Sequence, residues 1–371
     1  MEPETIMARE KRLAIVALTR PGLQTALRLA GSLPEGTPVF APASLAAGGA
    51  ETDGEIRVDF YSGGLSDFLG EIFHRYRGLI LIMAAGIAVR ALRTHMVSKL
   101  TDPAVVVVDA AGKYAISLLS GHLGGANELA RRVAAILGGE AVITTASESR
   151  GLPALDLVAR RLEMTIWPRD NMTMVMAALV NGEAIDLLVE PPLLARLQGE
   201  LPDLGARPLE GYSGVRGEGA GIMVTWRRLP LPGPRWVYWR PRVIVAGVGC
   251  RRGVPAGTIL YALGVALKRA GISRQSLRSL ASVDFKAREP GLELAARQLG
   301  LELRTFPPDE LAACLERHPE LSRSQTVAAR VGLTGVCEPA AVLAGGDGEL
   351  LWPKIKYRGV TIALARVQGG K

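Results

Sequence analysis

Residues 120–128 read Ser-Gly-His-Leu-Gly-Gly-Ala-Asn-Glu, between an apolar run and a segment of helical periodicity. Glycines in such a turn let backbone N–H groups approach a ligand, and the start of a helix adds positive potential. The stretch therefore suits a carboxylate or phosphate. His122 stands at the mouth of the turn, where a side chain that titrates near neutrality can act as acid or base. Glu128, six residues on, is the group to orient His122 or to act as base itself. Ser120, Gly121, Gly124, Gly125 and Asn127 complete the expected binding loop. The plainer alternative is a tight turn shaped by its glycines, with Asn127 capping the helix. A histidine flanked by glycines is a poor core filler, because no packed apolar face surrounds it. Ser120 is not a hydrolase elbow serine, since G-x-S-x-G is absent.

Lys99, Leu100, Thr101, Asp102 and Pro103 precede a buried run. Lys99 and Asp102 either face a ligand cleft or form a solvated pair across the turn. Gly86 and Arg90 follow another apolar run, and the three turns are expected to converge on one sheet edge. Further on, residues 247–253 spell G-x-G-x-x-x-G, one residue longer than a dinucleotide fingerprint, and residues 254–283 hold no Asp or Glu to bind a ribose. Nicotinamide binding is disfavoured. Gly247 and Gly249 instead place Arg251 and Arg252 beside backbone donors, which suits carboxylates. Ser282, Asp284, Lys286 and Glu289 are expected at the rim after the next strand, or else in a polar loop that starts a helix. Cys250 is a nucleophile or a buried small residue, and the second reading is preferred because no histidine lies close in sequence.

These residues need elements to hold them. Short β-branched runs at 79–83, 105–108 and 114–119 end in polar or glycine turns, and residues 65–75 and 128–137 have helical periodicity. With a strand at 13–18, a helix at 23–29, a loop around 41–54 and a strand at 142–145, residues 1–147 form one doubly wound domain. Ligands in such sheets bind beyond the carboxyl ends of the strands. A smaller middle domain, 148–240, has helices at 153–162 and 173–180 and strands at 165–167, 184–189, 222–226 and 236–239. The alternation at 236–239 suggests an edge strand or an aromatic platform. The third domain, 241–371, has strands at 243–246, 280–283 and 302–306, helices at 255–270, 292–299 and 308–317, a short segment at 340–344, and a hairpin at 350–357 and 360–366. The expected fold is multidomain α/β, with Rossmann-like N- and C-terminal domains around a smaller α/β middle.

The 371 residues are enough for two or three domains, and 48% are apolar, which excludes a disordered chain. Apolar runs stop well short of the ~18 residues a membrane span needs. The charged N-terminus is no secretory signal, so a cytoplasmic protein without a membrane partner is expected. Three cysteines and four histidines, scattered along the chain without zinc spacing, predict no disulfide framework and no protein-held metal. A net charge of +8 without a dense basic run or interleaved aromatics points to a small polyanion rather than nucleic acid.

Together the motifs resemble the CbiG family of cobalamin biosynthesis. The matching pieces are MAAGIAVRAL (83–92), KLTDPAVVVVD (99–109), ISLLSGHLGGANELA (116–130), VITTAS (142–147), VAGVGCRRG (245–253) and LASVDFKAREPGLELAARQLGL (280–301). One departure is Ala146-Ser147-Glu148, where the family pattern has Ala-Thr-Asp; hydroxyl and acid are kept. The resemblance implies hydrolysis of cobalt-precorrin-5A. Water opens a δ-lactone on a ring-contracted cobalt macrocycle, and acetaldehyde leaves to give cobalt-precorrin-5B. A polycarboxylate substrate matches arginines in glycine turns. The substrate carries the cobalt and no separate cofactor is implied, while a homodimer and handover to other pathway enzymes stay open. His122 or Glu128 would be the base, with Lys99 or the Gly124 and Gly125 amides stabilising the oxyanion. A non-catalytic tetrapyrrole carrier and a phosphate- or nucleotide-binding α/β enzyme remain as alternatives.

Overall fold

The computed structural model describes residues 13–34, 36–48, 56–98, 101–122, 124–210, 217–323 and 334–368. Among them the chain divides into two compact units, the first ending at Leu157 and the second starting at Val158.

The first unit is built on β1 (Leu13–Ala17), α1 (Arg20–Ala30), β2 (Val39–Pro42), β3 (Val58–Tyr61), α2 (Leu65–Ile72), β4 (Gly78–Ile82), α3 (Ala85–Leu92), β5 (Ala104–Val108), β6 (Tyr114–Leu119), α4 (Ala126–Leu137) and β7 (Glu140–Val142). The seven strands lie in the order β3-β2-β1-β4-β5-β6-β7. Successive strand residues face opposite sides. Ile15, Ile80 and Val106 pack with Ala26 and Leu29 of α1 and Leu129 and Val133 of α4. Val16, Leu79 and Val105 pack under Phe68 and Leu69 of α2 and Leu92 of α3. Both faces are covered, so β4 and β5 are buried along their whole length.

The sheet is parallel from β3 to β5, but β6 runs antiparallel to β5 and parallel to β7. A parallel crossover takes a dozen or more residues, and only five separate β5 from β6. Asp109 closes them into a hairpin, its carboxylate accepting from Ala111 N at 3.1 Å and Tyr114 N at 2.7 Å. This departs from the uniformly wound expectation: the loop after β6 emerges at the amino end of β5. The expected loop at 41–54 also holds the end of β2, which the Ala/Gly-rich composition concealed.

The second unit carries two sheets. In the first, β8 (Met164–Trp167), α5 (Arg169–Val180), β9 (Ile185–Val189), β10 (Arg207–Pro208), β11 (Ala220–Val224) and β12 (Trp236–Pro241) give the order β10-β9-β11-β12-β8, with β8 alone antiparallel. This corrects the edge-strand and aromatic-platform reading of 236–239. β12 is an interior strand, and Trp236 and Trp239 are fully buried. Gly221 on β11 makes room, since a Cβ there would lie 2.6 Å from the Trp236 ring.

The other sheet contains β13 (Ile244–Cys250), α6 (Ala256–Arg269), β14 (Leu277–Val283), α7 (Pro290–Leu299), β15 (Glu302–Phe306), α8 (Pro308–Arg317), α9 (Cys337–Ala344), β16 (Glu349–Tyr357) and β17 (Val360–Arg366). Its order is β15-β14-β13-β17-β16, parallel through β13 and antiparallel at β17 and β16. The two sheets are joined through Ser273 N donating to Trp226 O at 2.7 Å and Arg228 N to Gly271 O at 2.6 Å. No helix among the described residues is long and apolar enough to cross a membrane.

Candidate active site

The loop 120–128 folds back on itself at the carboxyl end of β6. Ser120 takes a left-handed backbone, φ 57°, and donates its hydroxyl to Asp102 O at 3.0 Å. Gly125, φ 88°, occupies the N-cap of α4, a conformation in which a side chain would be strained. The first amides of α4 are already used: Ala126 N donates to Ser120 O at 3.2 Å and Asn127 N to Gly121 O at 3.0 Å. Gly125 N donates to His122 O at 3.0 Å, which removes it from the expected pair of oxyanion donors and leaves Gly124 N. The helix start is therefore not an open anion cradle.

Because β6 and β7 are parallel neighbours, the turn after β7 meets this loop. His122 is half-buried, and its Nε2 lies 2.9 Å from Ser147 Oγ. His122 Nδ1 is enclosed and has no hydrogen-bond partner among the described residues. An unpaired buried nitrogen costs about 1–3 kcal/mol, so the arrangement favours a water or ligand group at that atom. Asn127, also buried, accepts from Ser117 Oγ at 2.7 Å and donates to Thr145 Oγ1 at 3.2 Å and Glu148 Oε1 at 3.3 Å. It ties the two turns together rather than capping α4. Glu148 also binds Arg131.

The remaining candidates of this unit separate. Glu128 is 83% exposed and faces Arg131 at 3.7 Å, one turn along α4, so it neither orients His122 nor shares its enclosure. Asp102 is buried, and its carboxylate accepts from Val97 N and Ser98 N at 3.0–3.1 Å. It closes a turn and has no role as a free ligand group. Gly86 lies in the first turn of α3, beyond the carboxyl end of β4, and Arg90, in the last turn, reaches back so that its Nη1 donates to Gly86 O at 3.2 Å. Leu119 pairs with Val105 at the amino end of β5. Gly86 and Arg90 therefore sit at the opposite edge of the sheet, and the expected convergence of three turns reduces to two. Lys99 lies outside the described residues.

In the second unit, β13 runs on through Cys250, so Gly247 and Gly249 are strand residues and not a ligand turn. A Cβ at Gly247 would lie 1.8 Å from Cys337 O, and one at Gly249 would lie 2.5 Å from Thr361 Oγ1. These glycines admit α9 and β17. Ser282 is likewise inside β14, fully buried and donating to Val248 O at 2.8 Å. The rim proper is held by Glu289, which is buried and accepts from Lys286 Nζ and Gly253 N, both at 2.7 Å. The Lys286 ammonium, then the Gly253 N–H, holds the Glu289 carboxyl below its usual range. Burial pushes the Cys250 thiol up, with Lys286 opposing. Arg251 and Arg252 are exposed on the same turn, and Arg251 N donates to Gly359 O at 2.9 Å.

Three family models match the chain: Cobalamin synthesis G N-terminal over residues 67–148, Cobalamin biosynthesis central region over 153–241, and Cobalamin synthesis G C-terminus over 244–365. The chain belongs to the CbiG family. The cobalt-precorrin-5A hydrolase of Priestia megaterium is 34% identical, covering 95% of this chain and 94% of its own. That of Salmonella typhimurium is 35% identical, covering 95% and 97%. The likeness thus spans all three sheets and both sets of turns. The crystal structure of a cobalamin biosynthesis protein G homolog from Sulfolobus solfataricus is 21% identical and covers 96% of this chain and 97% of its own. Its TM-score is 0.33, and the fold above does not rest on it.

Sequence reasoning passed over Ser147, Glu148, Thr145 and Arg131 as members of the His122 site. The signal is present: the strand ending at Val142 follows the helix that starts at Ala126, and a β-α-β unit of that length is parallel. The turns after its two strands must then be neighbours, which places Thr145–Glu148 beside His122.

Proposed function

We propose that this CbiG-family chain hydrolyses cobalt-precorrin-5A, opening its δ-lactone and releasing acetaldehyde to give cobalt-precorrin-5B. The observation that carries the assignment to a site is His122, with Nε2 on Ser147 Oγ and Nδ1 enclosed without a partner among the described residues. With the proton on Nε2 and donated to Ser147, Nδ1 presents its lone pair to a bound water. That water adds to the lactone carbonyl as its proton passes to Nδ1. Gly124 N donates to the developing oxyanion, and collapse breaks the ring C–O bond to give a carboxylate and a hydroxyl. Deprotonating that hydroxyl breaks the carbon–carbon bond to the macrocycle, in the manner of a retro-aldol reaction. The electron pair passes into the conjugated ring, and acetaldehyde leaves. The substrate's own cobalt macrocycle is the electron sink, and the scheme uses no further cofactor.

Within the second unit, Arg251 and Arg252 are exposed on the turn whose Gly253 N donates to Glu289, and guanidinium groups so placed suit carboxylates. The strand order β3-β2-β1-β4 supports a Rossmann-like reading of the first sheet; domains at 1–147, 148–240 and 241–371 and a cytoplasmic setting belong to the same proposal. The nucleotide-binding alternative loses its footing where Gly247 and Gly249 admit α9 and β17. The test is anaerobic incubation of wild type and His122→Ala with cobalt-precorrin-5A, following macrocycle binding and trapped aldehyde. Loss of aldehyde with binding retained supports the hydrolase and the role of His122. Binding by wild type without aldehyde makes the chain a carrier.

A further inference from the structure

Scattered in sequence, Cys314, His318 and Asp347 come together in the second unit. Cys314 lies on α8 and His318 ends it, four residues on, so both occupy one face of the helix end. Asp347 sits in the turn between α9 and β16 with a left-handed backbone, φ 55°. The Cys314 Sγ, a His318 ring nitrogen and an Asp347 oxygen all lie within 4.8 Å of one another. It is the one such group among the described residues.

A second observation concerns the histidine. Its Nδ1 lies 3.1 Å from Glu320 Oε1, while its Nε2 lies 3.7 Å from Asp347 Oδ1. A carboxylate on Nδ1 holds the ring proton there and turns the Nε2 lone pair toward Asp347 and Cys314. Metal-binding histidines commonly have this carboxylate behind them. In a neutral ring the Nε2 lone pair then faces a carboxylate oxygen with no hydrogen between, an arrangement a cation relieves.

We propose that Cys314, His318 and Asp347 form a site for a divalent transition metal of the zinc class, with Glu320 positioning His318. One thiolate, one imidazole and one carboxylate suit a borderline ion and not magnesium or calcium. Cys314 is fully buried, and its Sγ donates to Pro339 O at 3.8 Å, a contact a metal would replace. Arg317 Nη2 donates to the same Asp347 Oδ1 at 3.2 Å, so a metal would take Oδ2 or displace that pair. His318 and Asp347 line a cavity of about 560 Å³ with Trp226, Glu349 and Arg366, which leaves a fourth coordination position facing open space. The sequence conceals the site because Cys-x3-His is not a zinc motif and Asp347 follows 29 residues later.

The full chain, stripped with chelator, is titrated with Zn²⁺ against a chromophoric competitor and with Co²⁺ by absorption. One equivalent is expected, with a thiolate-to-cobalt charge-transfer band in the near ultraviolet. C314S removes the band, and D347N and E320Q each weaken affinity by at least about tenfold. Asp347 is on an exposed turn, so D347N still reports if C314S fails to fold. No uptake by folded wild type overturns the site, as does a cobalt band that survives both C314S and D347N. Acetaldehyde release plays no part in the readout, so this outcome is independent of the hydrolase assignment.

Discussion

A Cβ added at Gly121 or Gly124 would strike the loop's own atoms, Asn127 Oδ1 at 2.6 Å and Ser120 Cβ at 2.3 Å. One added at Gly247 would strike the carbonyl of Cys337 at 1.8 Å, in a helix 90 residues away in the chain. Both stretches present glycines after an apolar run, yet the first set lets a loop close around a histidine and the second lets a helix lie against a strand. What separates them is where the strand stops. β6 ends at Leu119, before Gly121, whereas β13 runs on through Gly249 because β17 pairs with it as far as Cys250. A glycine turn and a packing glycine share a sequence signature, and only the pairing partner distinguishes them.

That contrast breaks most readily at His122. His122→Ala is expected to lower kcat by about 10²–10⁴-fold with the melting temperature unchanged. Gly247→Ala should do the reverse, losing about 3 kcal/mol through overpacking, read as a fall in Tm of roughly 6–12 °C. A Gly247→Ala protein that melts normally but fails to turn over would restore the ligand-turn reading. Ser147→Ala is expected to cost about tenfold in kcat, the scale of a lost orienting hydrogen bond, with recovery in Ser147→Thr and a shifted pH profile.

Smaller effects sharpen the second region. Glu289 is held below its ordinary value of 4.5 by Lys286 and Gly253 N–H. A depressed carboxyl stabilises the folded state above the unfolded pKa and loses that contribution as pH falls through the folded one. Glu289→Gln should therefore melt lower than wild type at neutral pH, with the gap closing below about pH 4. Smallest of all is Glu128→Gln, expected to change kcat by less than about twofold, because its exposed pair with Arg131 is of the surface kind.

Much of the fold is legible in the sequence where the period is strong. The strand 302–306 and the helix 308–317 coincide with β15 and α8, the helix marked by Pro308 at its first position and by the apolar spacing of Leu311, Cys314 and Leu315. The direction of β6 is not carried by periodicity; it follows from the short connection at 109–113. His122 stands out as an isolated polar residue among glycines. Its partner Ser147 does not, because a serine before a glutamate is an ordinary helix start until β7 sets it beside the loop. Trp236 and Trp239 mislead in another way, their alternation hiding that both faces of β12 are covered.

The most direct measurement is the stoichiometry of acetaldehyde released per cobalt-precorrin-5A consumed, under anaerobic conditions, for wild type and His122→Ala at matched fold and binding. The account predicts one aldehyde per macrocycle from wild type, and turnover at least about a hundredfold slower from the variant. Equal release from both proteins would remove His122 from the reaction, and no release from wild type would contradict the hydrolase itself.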